Sequence, residues 1–124
     1  LVYLDACRHI RGYLGVLVCI WMSLGVSGRV GVYLGDEQVG FTRLVTDYAT
    51  FGYLADVFVL EPHRGKGLSK EIMKFLLAQE WVQGLRNIML GTQDAHGLYQ
   101  QFGFTLLTDP KRYMYKFKPN IYKR

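Results

Sequence analysis

The stretch that decides the fold is VFVLEPHRGKGLSKEIM, residues 57–73, which passes from an apolar run through a glycine-rich turn into a helical pattern. Gly65 and Gly67 permit a sharp turn that brings consecutive backbone N–H groups close together. The helix that should begin near Leu68 adds the partial positive charge of its N-terminus. Strand, turn and helix in this order predict a binding site for an anion such as phosphate.

Two basic residues on the same turn, Arg64 and Lys66, can add charge-assisted contacts to that anion. The turn does not match the nucleoside-triphosphate pattern GxxxxGK[ST], because Lys66 is followed by Gly67, and the dinucleotide pattern GxGxxG does not occur in the chain. Nucleotide hydrolysis is therefore disfavoured. A plain connection between a strand and a helix is the structural alternative.

Hydrophobic patterns on both sides of the turn predict a single α/β domain over residues 1–124. In chain order they predict strands at 30–34, 39–45 and 53–60, a helix at 68–82, a strand at 86–91, a helix at 94–102 capped by Thr92 or Asp94, and strands at 104–107 and 112–117. The order β-β-β-α-β-α-β-β predicts a sheet with mixed strand directions.

The positive charge is concentrated at the C-terminal end. The chain has 124 residues and a net charge of +5, but residues 111–124 hold six basic and no acidic residues, which leaves nine basic against ten acidic in the rest. This distribution predicts a solvated basic tail over residues 118–124, and it makes nucleic acid an unlikely partner. Just before this tail, the alternation of Tyr113, Tyr115 and Phe117 fits a strand, which could pair at a homodimer interface.

Residues 1–29 form an atypical N-terminal segment. The run at 12–28 has no charge but is broken by glycines and is short for a bilayer span of about 20 residues, so a buried strand or helix is expected, with no membrane association. Cys7 and Cys19 lack a CxxC or metal-ligand spacing, which predicts no metal site and two reduced thiols in a cytoplasmic protein.

Two motifs carry a family resemblance. The pattern [Q/R]-x-x-G-x-[G/A] is matched by Arg64, Gly67 and, with a small residue of another type, Ser69. A second pattern, A-x-x-x-Y-x-x-x-G-F, is matched about thirty residues later by DAHGLYQQFGF, residues 94–104. The chain thereby resembles the GNAT superfamily of N-acetyltransferases. The resemblance implies a mixed, mostly antiparallel sheet flanked by helices, and acetyl-CoA as the co-substrate.

The resemblance also implies which residues bind acetyl-CoA. The backbone that follows the central strand would pair with the pantetheine arm, and amides of the glycine turn would hold the pyrophosphate. These cofactor-binding positions are Val57, Phe58, Val59, Arg64, Gly65, Lys66, Gly67, Leu68 and Ser69. Thr92 stands where the family often carries an Asn, and a pantetheine contact there is the corresponding expectation.

Two residues are candidates for the catalytic chemistry. Tyr99 could protonate the departing thiolate, since a phenol with a pKa of about 10 suits that task; the alternative is a tyrosine that packs its helix. Asp56 could take the proton from the amine, because a carboxylate in an apolar central strand is costly unless it has a purpose or a partner. A hydrogen-bonded structural Asp56 is the alternative.

The expected reaction is direct attack of a primary amine, on a small molecule or a peptide, at the thioester. The family usually builds its acceptor pocket from helices near the N-terminus, which residues 1–29 do not resemble, so the acceptor stays unnamed. Tyr48, Phe51 and Tyr53 are aromatic candidates for the edge of that pocket, although core packing is the simpler expectation for the last two. A non-catalytic acyl-CoA-binding module is the second hypothesis.

Overall fold

The computed structural model describes the backbone of residues 2–9 and 17–120, and the side chains from residue 18 to residue 120. The chain divides into two compact units, residues 1–94 and 95–124. The first unit holds the sheet and its helical crossover, and the second holds a short helix.

The first unit contains a six-stranded sheet whose strands lie in chain order. Its strands are β1 Val2–His9, β2 Leu17–Leu24, β3 Ser27–Leu34, β4 Glu37–Thr46, β5 Phe51–Val59 and β6 Asn87–Leu90. All neighbours are antiparallel except β5 and β6, which are parallel. Short turns join the antiparallel strands of the described hairpins, and the parallel pair is joined by a helical crossover, as parallel strands require. The mixed, mostly antiparallel sheet is confirmed.

Helix α1, Leu68–Leu77, packs on one face of this sheet. Its apolar side chains recur at helical spacing and are buried, as are alternate residues of β2 and β3. Gly40 faces the helix, since a Cβ there would lie 3.2 Å from Cδ1 of Ile72. The core side chains of this unit are Val18, Ile20, Met22, Val30, Val32, Val39, Leu44, Leu54, Val59, Leu68, Ile72, Met73, Phe75, Leu76, Val82 and Leu85.

The predicted helix at 68–82 is interrupted. The chain leaves the α-helical conformation at Gln79, which is extended with ψ 133°, and resumes in the short helix α2, Glu80–Gln83. The Gln79 side chain donates from Nε2 to the carbonyl of Phe75 at 3.0 Å, which satisfies one of the last carbonyls of α1. The amphipathic pattern predicted the helix correctly but did not reveal this local break.

The N-terminal segment supplies strands. Its uncharged run includes β2 and the start of β3, so of the two expected alternatives, a buried strand or a buried helix, the described part forms strands. Residues 12–16 of the run lie outside the described residues. Among the described residues, no helix is long and apolar enough to cross a membrane.

The expectation of two reduced thiols was wrong. Cys19 is disulfide-bonded, and Cys7, the other cysteine of the chain, lies directly opposite Cys19 in the register of β1 and β2. Facing residues of antiparallel strands have Cα atoms about 4.5–5.5 Å apart, which a disulfide can span. The two cysteines are twelve residues apart in the sequence, and only the pairing of β1 with β2 brings them opposite each other.

The second unit contains the short helix α3, His96–Gln100. Its N-cap is Ala95 rather than Thr92 or Asp94. The strands predicted at 104–107 and 112–117 were wrong: over the described residues 95–120 the chain has no strand, and a 3-10 turn occupies Pro110–Arg112. Apolar side chains in both segments remain exposed, including Leu106 at 75% and Met114 at 96%. Without a buried face, a two-stranded hairpin gains too little to form.

Candidate active site

The glycine turn precedes α1 as predicted. Gly65 and Gly67 have φ values of 78° and 82°, in the left-handed region that glycine adopts without strain. A Cβ at either position would meet no heavy atom within 4 Å, so it is the backbone conformation and not crowding that requires glycine. The same open space leaves room for a ligand beside the turn.

The N-terminus of α1 has unused donors. Gly67 is the N-cap and supplies no side-chain hydrogen bond. The N–H of Glu71 donates to the Gly67 carbonyl at 3.1 Å, which leaves the preceding N–H groups of Leu68, Ser69 and Lys70 without an intrahelical acceptor. Three aligned donors at the positive end of a helix favour an anion, which agrees with the predicted phosphate contact.

Arg64 anchors the turn to the end of β5. Its Nε donates to the Val59 carbonyl at 2.9 Å, while the adjacent N–H of Leu60 donates to the Val39 carbonyl at 2.8 Å on β4. These two bonds leave in opposite directions and hold the peptide between Val59 and Leu60 in place. Arg64 therefore orients the turn through its Nε, a role that was not predicted.

Strand β5 contains a bulge at Asp56. The pairing passes from Phe41 opposite Phe58 to Arg43 opposite Ala55, so β5 has one residue more than β4 in this interval. Asp56 has φ 56°, the left-handed conformation. The hydroxyl of Thr42, which lies opposite the bulge, donates to the Ala55 carbonyl at 3.3 Å and partly replaces the interrupted ladder.

Beyond the bulge, one edge of β5 has no strand beside it. The pairing with β6 ends at Leu54 opposite Leu90, so residues 55–59 lack a strand partner on that edge within the described part of the chain. Successive residues of a strand direct their main-chain groups to opposite edges. Because the Leu60 N–H bonds to β4, Val57 and Val59 direct theirs to the unpaired edge and Phe58 directs its own to β4.

The premise that Asp56 is buried was wrong. Its side chain is 58% exposed and forms an ion pair with Arg43, with 3.1 Å between Oδ2 and Nη2. The bulge turns this carboxylate to the surface of the sheet, where a charge is not costly. Its role as a base stays a prediction, now with Arg43 as an immediate neighbour that sequence reasoning did not identify. The signal in the sequence that could have identified Arg43 is the alternation in β4, which places Arg43 on the same face as Phe41.

Tyr99 lies on α3 in the second unit and is 8% exposed. Burial raises the pKa of its phenol above the ordinary value of 10.0. The second motif has a structural basis here: the Tyr99 N–H donates to the Ala95 carbonyl at 3.3 Å, and Gly103, with φ 89°, turns the chain so that the Phe104 N–H reaches the Tyr99 carbonyl at 3.2 Å. The rings of Tyr99 and Phe104 meet edge to face at 6.0 Å.

The other predicted positions are Thr92 and the three aromatic candidates for the edge of the acceptor pocket. Thr92 follows β6 and is partly exposed, and its contact with pantetheine stays a prediction. Tyr48 ties two loops of the first unit together, donating to the Gly25 carbonyl at 2.8 Å with its ring 4.9 Å from that of Trp81. Phe51 and Tyr53 are 41% and 42% exposed, so simple core packing does not account for them.

Among the described residues, no cluster of His, Cys, Asp or Glu could hold a metal ion.

Residues 27–106 match the family model described as the acetyltransferase (GNAT) domain, which covers both motifs and reaches into both units. The chain belongs to the GNAT family. The sequence-based recognition of the family is thereby confirmed.

Two relatives support the assignment of this GNAT domain. The chain is 45% identical to the crystal structure of "a putative acetyltransferase belonging to the gnat family" from Xanthomonas campestris pv. campestris, with a TM-score of 0.77 over 80% of this chain and 70% of that one. It is also 44% identical over 66 residues to a "putative acetyltransferase" of Gibberella zeae. That match spans 51% of this chain and 36% of the fungal protein, about a third of its length.

A more distant structure shows the same fold. The GNAT family acetyltransferase SP0256 of Streptococcus pneumoniae is 23% identical, with a TM-score of 0.63 over 75% of this chain and 71% of that one. At this identity the likeness concerns the GNAT fold alone.

Proposed function

We propose that this GNAT domain transfers an acetyl group from acetyl-CoA to a primary amine by direct attack on the thioester. The observation that carries the proposal is the continuity of three features along the chain: the bulge at Asp56, the unpaired edge at residues 55–59, and the uncapped N-terminus of α1. Acetyl-CoA has the chemistry to use them in that order. Its thioester would lie at the bulge, the amide groups of its pantetheine arm at the unpaired edge, and its pyrophosphate at the N-terminus of α1.

The proposed contacts with acetyl-CoA lie at two places, the unpaired edge of β5 and the N-terminus of α1. Val57 and Val59 direct main-chain groups to the unpaired edge, where a pantetheine amide can form hydrogen bonds as an added strand would. At Val59 the N–H is the group offered, because the carbonyl already accepts a hydrogen bond from Nε of Arg64. Phe58 directs its groups to β4, so its contribution would come from the side chain, which is 44% exposed. The pyrophosphate would accept hydrogen bonds from the backbone N–H groups of Leu68 and Ser69 at the N-terminus of α1.

The proposed chemistry needs two proton movements. When bound, acetyl-CoA supplies a thioester: the amine nitrogen forms a bond to the acetyl carbon, the carbon–sulfur bond breaks, and free thiol leaves. Asp56 accepts the proton that the amine loses, directly or through water, with its exposed carboxylate. Tyr99 donates a proton to the departing sulfur, and its phenol, whose pKa burial raises above the ordinary value of 10.0, is protonated at neutral pH.

The test is acetyl-CoA binding followed by turnover. A ligand that binds only the native state raises the melting temperature, so acetyl-CoA should stabilise the purified protein. Thiol release should then be measured with a panel of primary amines. Tyr99→Phe should lower kcat by roughly 10² to 10⁴ with little change in acetyl-CoA affinity, because the lost hydroxyl acts in the transition state.

A non-catalytic acyl-CoA-binding module is the second candidate. It is favoured by the N-terminal segment, residues 1–29, whose described part forms strands and does not resemble the helices from which the family usually builds its acceptor pocket. Stabilisation by acetyl-CoA without thiol release from any amine would support this second function. Turnover in the wild-type protein with near-normal kcat in Tyr99→Phe would leave the transferase intact and remove Tyr99 from the mechanism.

A further inference from the structure

Two arginines lie side by side on the sheet face opposite α1. The register of β3 and β4 places Arg29 directly opposite Arg43, and facing side chains of antiparallel strands have Cβ atoms about 4.5–5.5 Å apart. The face follows from alternation: Gly40 points to α1, so Phe41 and Arg43 point away from it. Two like charges at facing positions repel, which makes the pair unfavourable unless something compensates it.

The compensation within the described residues is incomplete. Asp56 is the one carboxylate there within ion-pair distance of either arginine, and it contacts Arg43. Arg29 is exposed and has no such partner in that part of the chain. In addition, Nε of Arg43 is buried without a hydrogen-bond acceptor. The two guanidinium groups and the single carboxylate of Asp56 together carry a net positive charge, and the exposed Arg29 guanidinium can still accept a carboxylate partner.

The arginines adjoin the proposed reaction centre. Asp56, the bulge residue that we assign to the amine proton, is 3.1 Å from Arg43. A carboxylate and a guanidinium in direct contact can bind a molecule whose ammonium and carboxylate groups are attached to one carbon. The ammonium would face the carboxylate, and the carboxylate would face the guanidinium. An acceptor amine near Asp56 would therefore place an adjacent carboxylate against Arg43 and Arg29, where a guanidinium can bind it in bidentate fashion.

Apolar surface continues beside the charges. The rings of Phe41 and Phe58 lie 5.9 Å apart, and Phe58 is 44% exposed. Because Phe41 pairs with Phe58 and Arg43 with Ala55, the aromatic pair lies next to the bulge along the strands. This surface can contact an apolar side chain on the same acceptor molecule.

We propose that the acceptor is an amino acid with an apolar side chain, whose carboxylate is held by Arg29 and Arg43 while its amine faces Asp56. This inference rests on the proposed transfer function and deepens it by naming the substrate class. It predicts that the carboxylate, and not the amine alone, decides which acceptors are used.

The experiment compares L-phenylalanine with L-phenylalaninamide and phenethylamine as acceptors, in the wild-type protein, in Arg29→Gln and in Arg86→Gln. The amide lacks the carboxylate but has the more easily deprotonated amine, so a preference for phenylalanine cannot come from amine basicity. Arg29→Gln should raise KM for phenylalanine about ten- to a hundredfold, as expected for a lost charge-assisted contact. Arg86→Gln removes an exposed arginine elsewhere in the first unit and should leave that KM unchanged.

A second measurement separates this inference from the transfer function. With CoA present, phenylalanine should raise the melting temperature further than phenylalaninamide does, and Arg29→Gln should reduce that difference. Such stabilisation without thiol release would overturn the transfer function and support the carboxylate site. Equal use of all three amines, no response to phenylalanine in either measurement, or loss of acetyl-CoA binding in Arg29→Gln would overturn the inference.

Discussion

The glycine turn and the bulge of β5 both use left-handed backbone, but they acquire it in different ways. In the turn, Gly65 and Gly67 adopt φ values of 78° and 82° at no steric cost. In the bulge, Asp56 adopts φ 56°, and the conformation follows from the mismatch of one residue between β4 and β5. Local sequence is enough to create the first geometry, whereas strand pairing creates the second.

This contrast separates the two functions that we propose for the turn and the bulge. The turn presents backbone N–H groups, so its chemistry tolerates many side chains as long as the conformation persists. The bulge presents one particular carboxylate, so its chemistry depends on the identity of Asp56 as well as on the backbone. Substitutions that keep the conformation and alter the charge should therefore act on binding at the turn and on turnover at the bulge.

The largest effect is expected for Asp56→Asn. Asn tolerates the left-handed conformation, so the bulge should persist, while the loss of the base should lower kcat by roughly 10² to 10⁴. Acetyl-CoA should still raise the melting temperature. Steady-state kinetics and thermal melts check both statements. Near-normal kcat in Asp56→Asn would show that Asp56 is a structural partner of Arg43 only.

Asp56→Val is the matched control for the backbone. A β-branched residue is strained at a positive φ, so this variant should lose about 1–2 kcal/mol of unfolding free energy, measured by denaturant titration. Equal stability of Asp56→Val and Asp56→Asn would mean that the bulge does not impose the left-handed conformation.

The next effect is expected for Gly67→Asp. A carboxylate at the N-cap of α1 should lower acetyl-CoA affinity by roughly ten- to a hundredfold, because it stands where phosphate would bind. Gly67→Asn has nearly the same shape without the charge and should retain most of the affinity. Calorimetric titration of both folded variants measures the difference. Equal affinities would place the pyrophosphate elsewhere.

A smaller effect concerns Asp47, which shapes the loop between β4 and β5. Its carboxylate accepts hydrogen bonds from the Thr50 hydroxyl and from the N–H groups of Thr50, Ala49 and Phe51, the last three at 2.7, 2.9 and 3.1 Å. These bonds, with that from the Thr50 hydroxyl first, hold the pKa of Asp47 well below the usual range. The stabilisation is therefore present above the unfolded-state pKa of about 3.9 and is lost as pH falls further.

Replacing Asp47 by Ala should lower the melting temperature at neutral pH and should reduce the loss of stability on acidification below about pH 4. Melting curves across that range measure both. Parallel pH dependences in the wild-type and Asp47→Ala proteins would exclude Asp47 as a source of the acid sensitivity. The variant should bind acetyl-CoA normally, since the loop lies apart from the glycine turn along the chain.

The smallest effect is expected for shortening the chain after Lys116. The described residues that this change removes, 117–120, are exposed and belong to no helix or strand, so their removal should change acetyl-CoA affinity little. A binding titration on the shortened protein checks this. Loss of binding with a native far-ultraviolet spectrum would show that the tail contributes to the site.

The sequence predicted most of the features that arise from local patterns. The strands before the glycine turn, helix α1 and the positive φ of Gly65 and Gly67 all depend on periodicity or on a residue type with special freedom. The same patterns failed at 104–107 and 112–117, where alternation suggested strands that the described structure lacks. Alternation shows that a segment could pair, but a strand forms only where a partner and a buried face are present.

What the sequence by itself determined is the GNAT fold, the conformation of the glycine turn that we propose binds phosphate, and the identity of the candidate catalytic residues. Only the tertiary structure decided that Asp56 is exposed, that it pairs with Arg43, and that Arg29 stands beside them. These facts depend on a strand register that pairs Arg29 with Arg43 and Arg43 with Ala55, 14 and 12 positions apart in the chain. A single-residue bulge then reverses the direction in which a side chain points. Such long-range pairing leaves no mark on the local pattern of either strand.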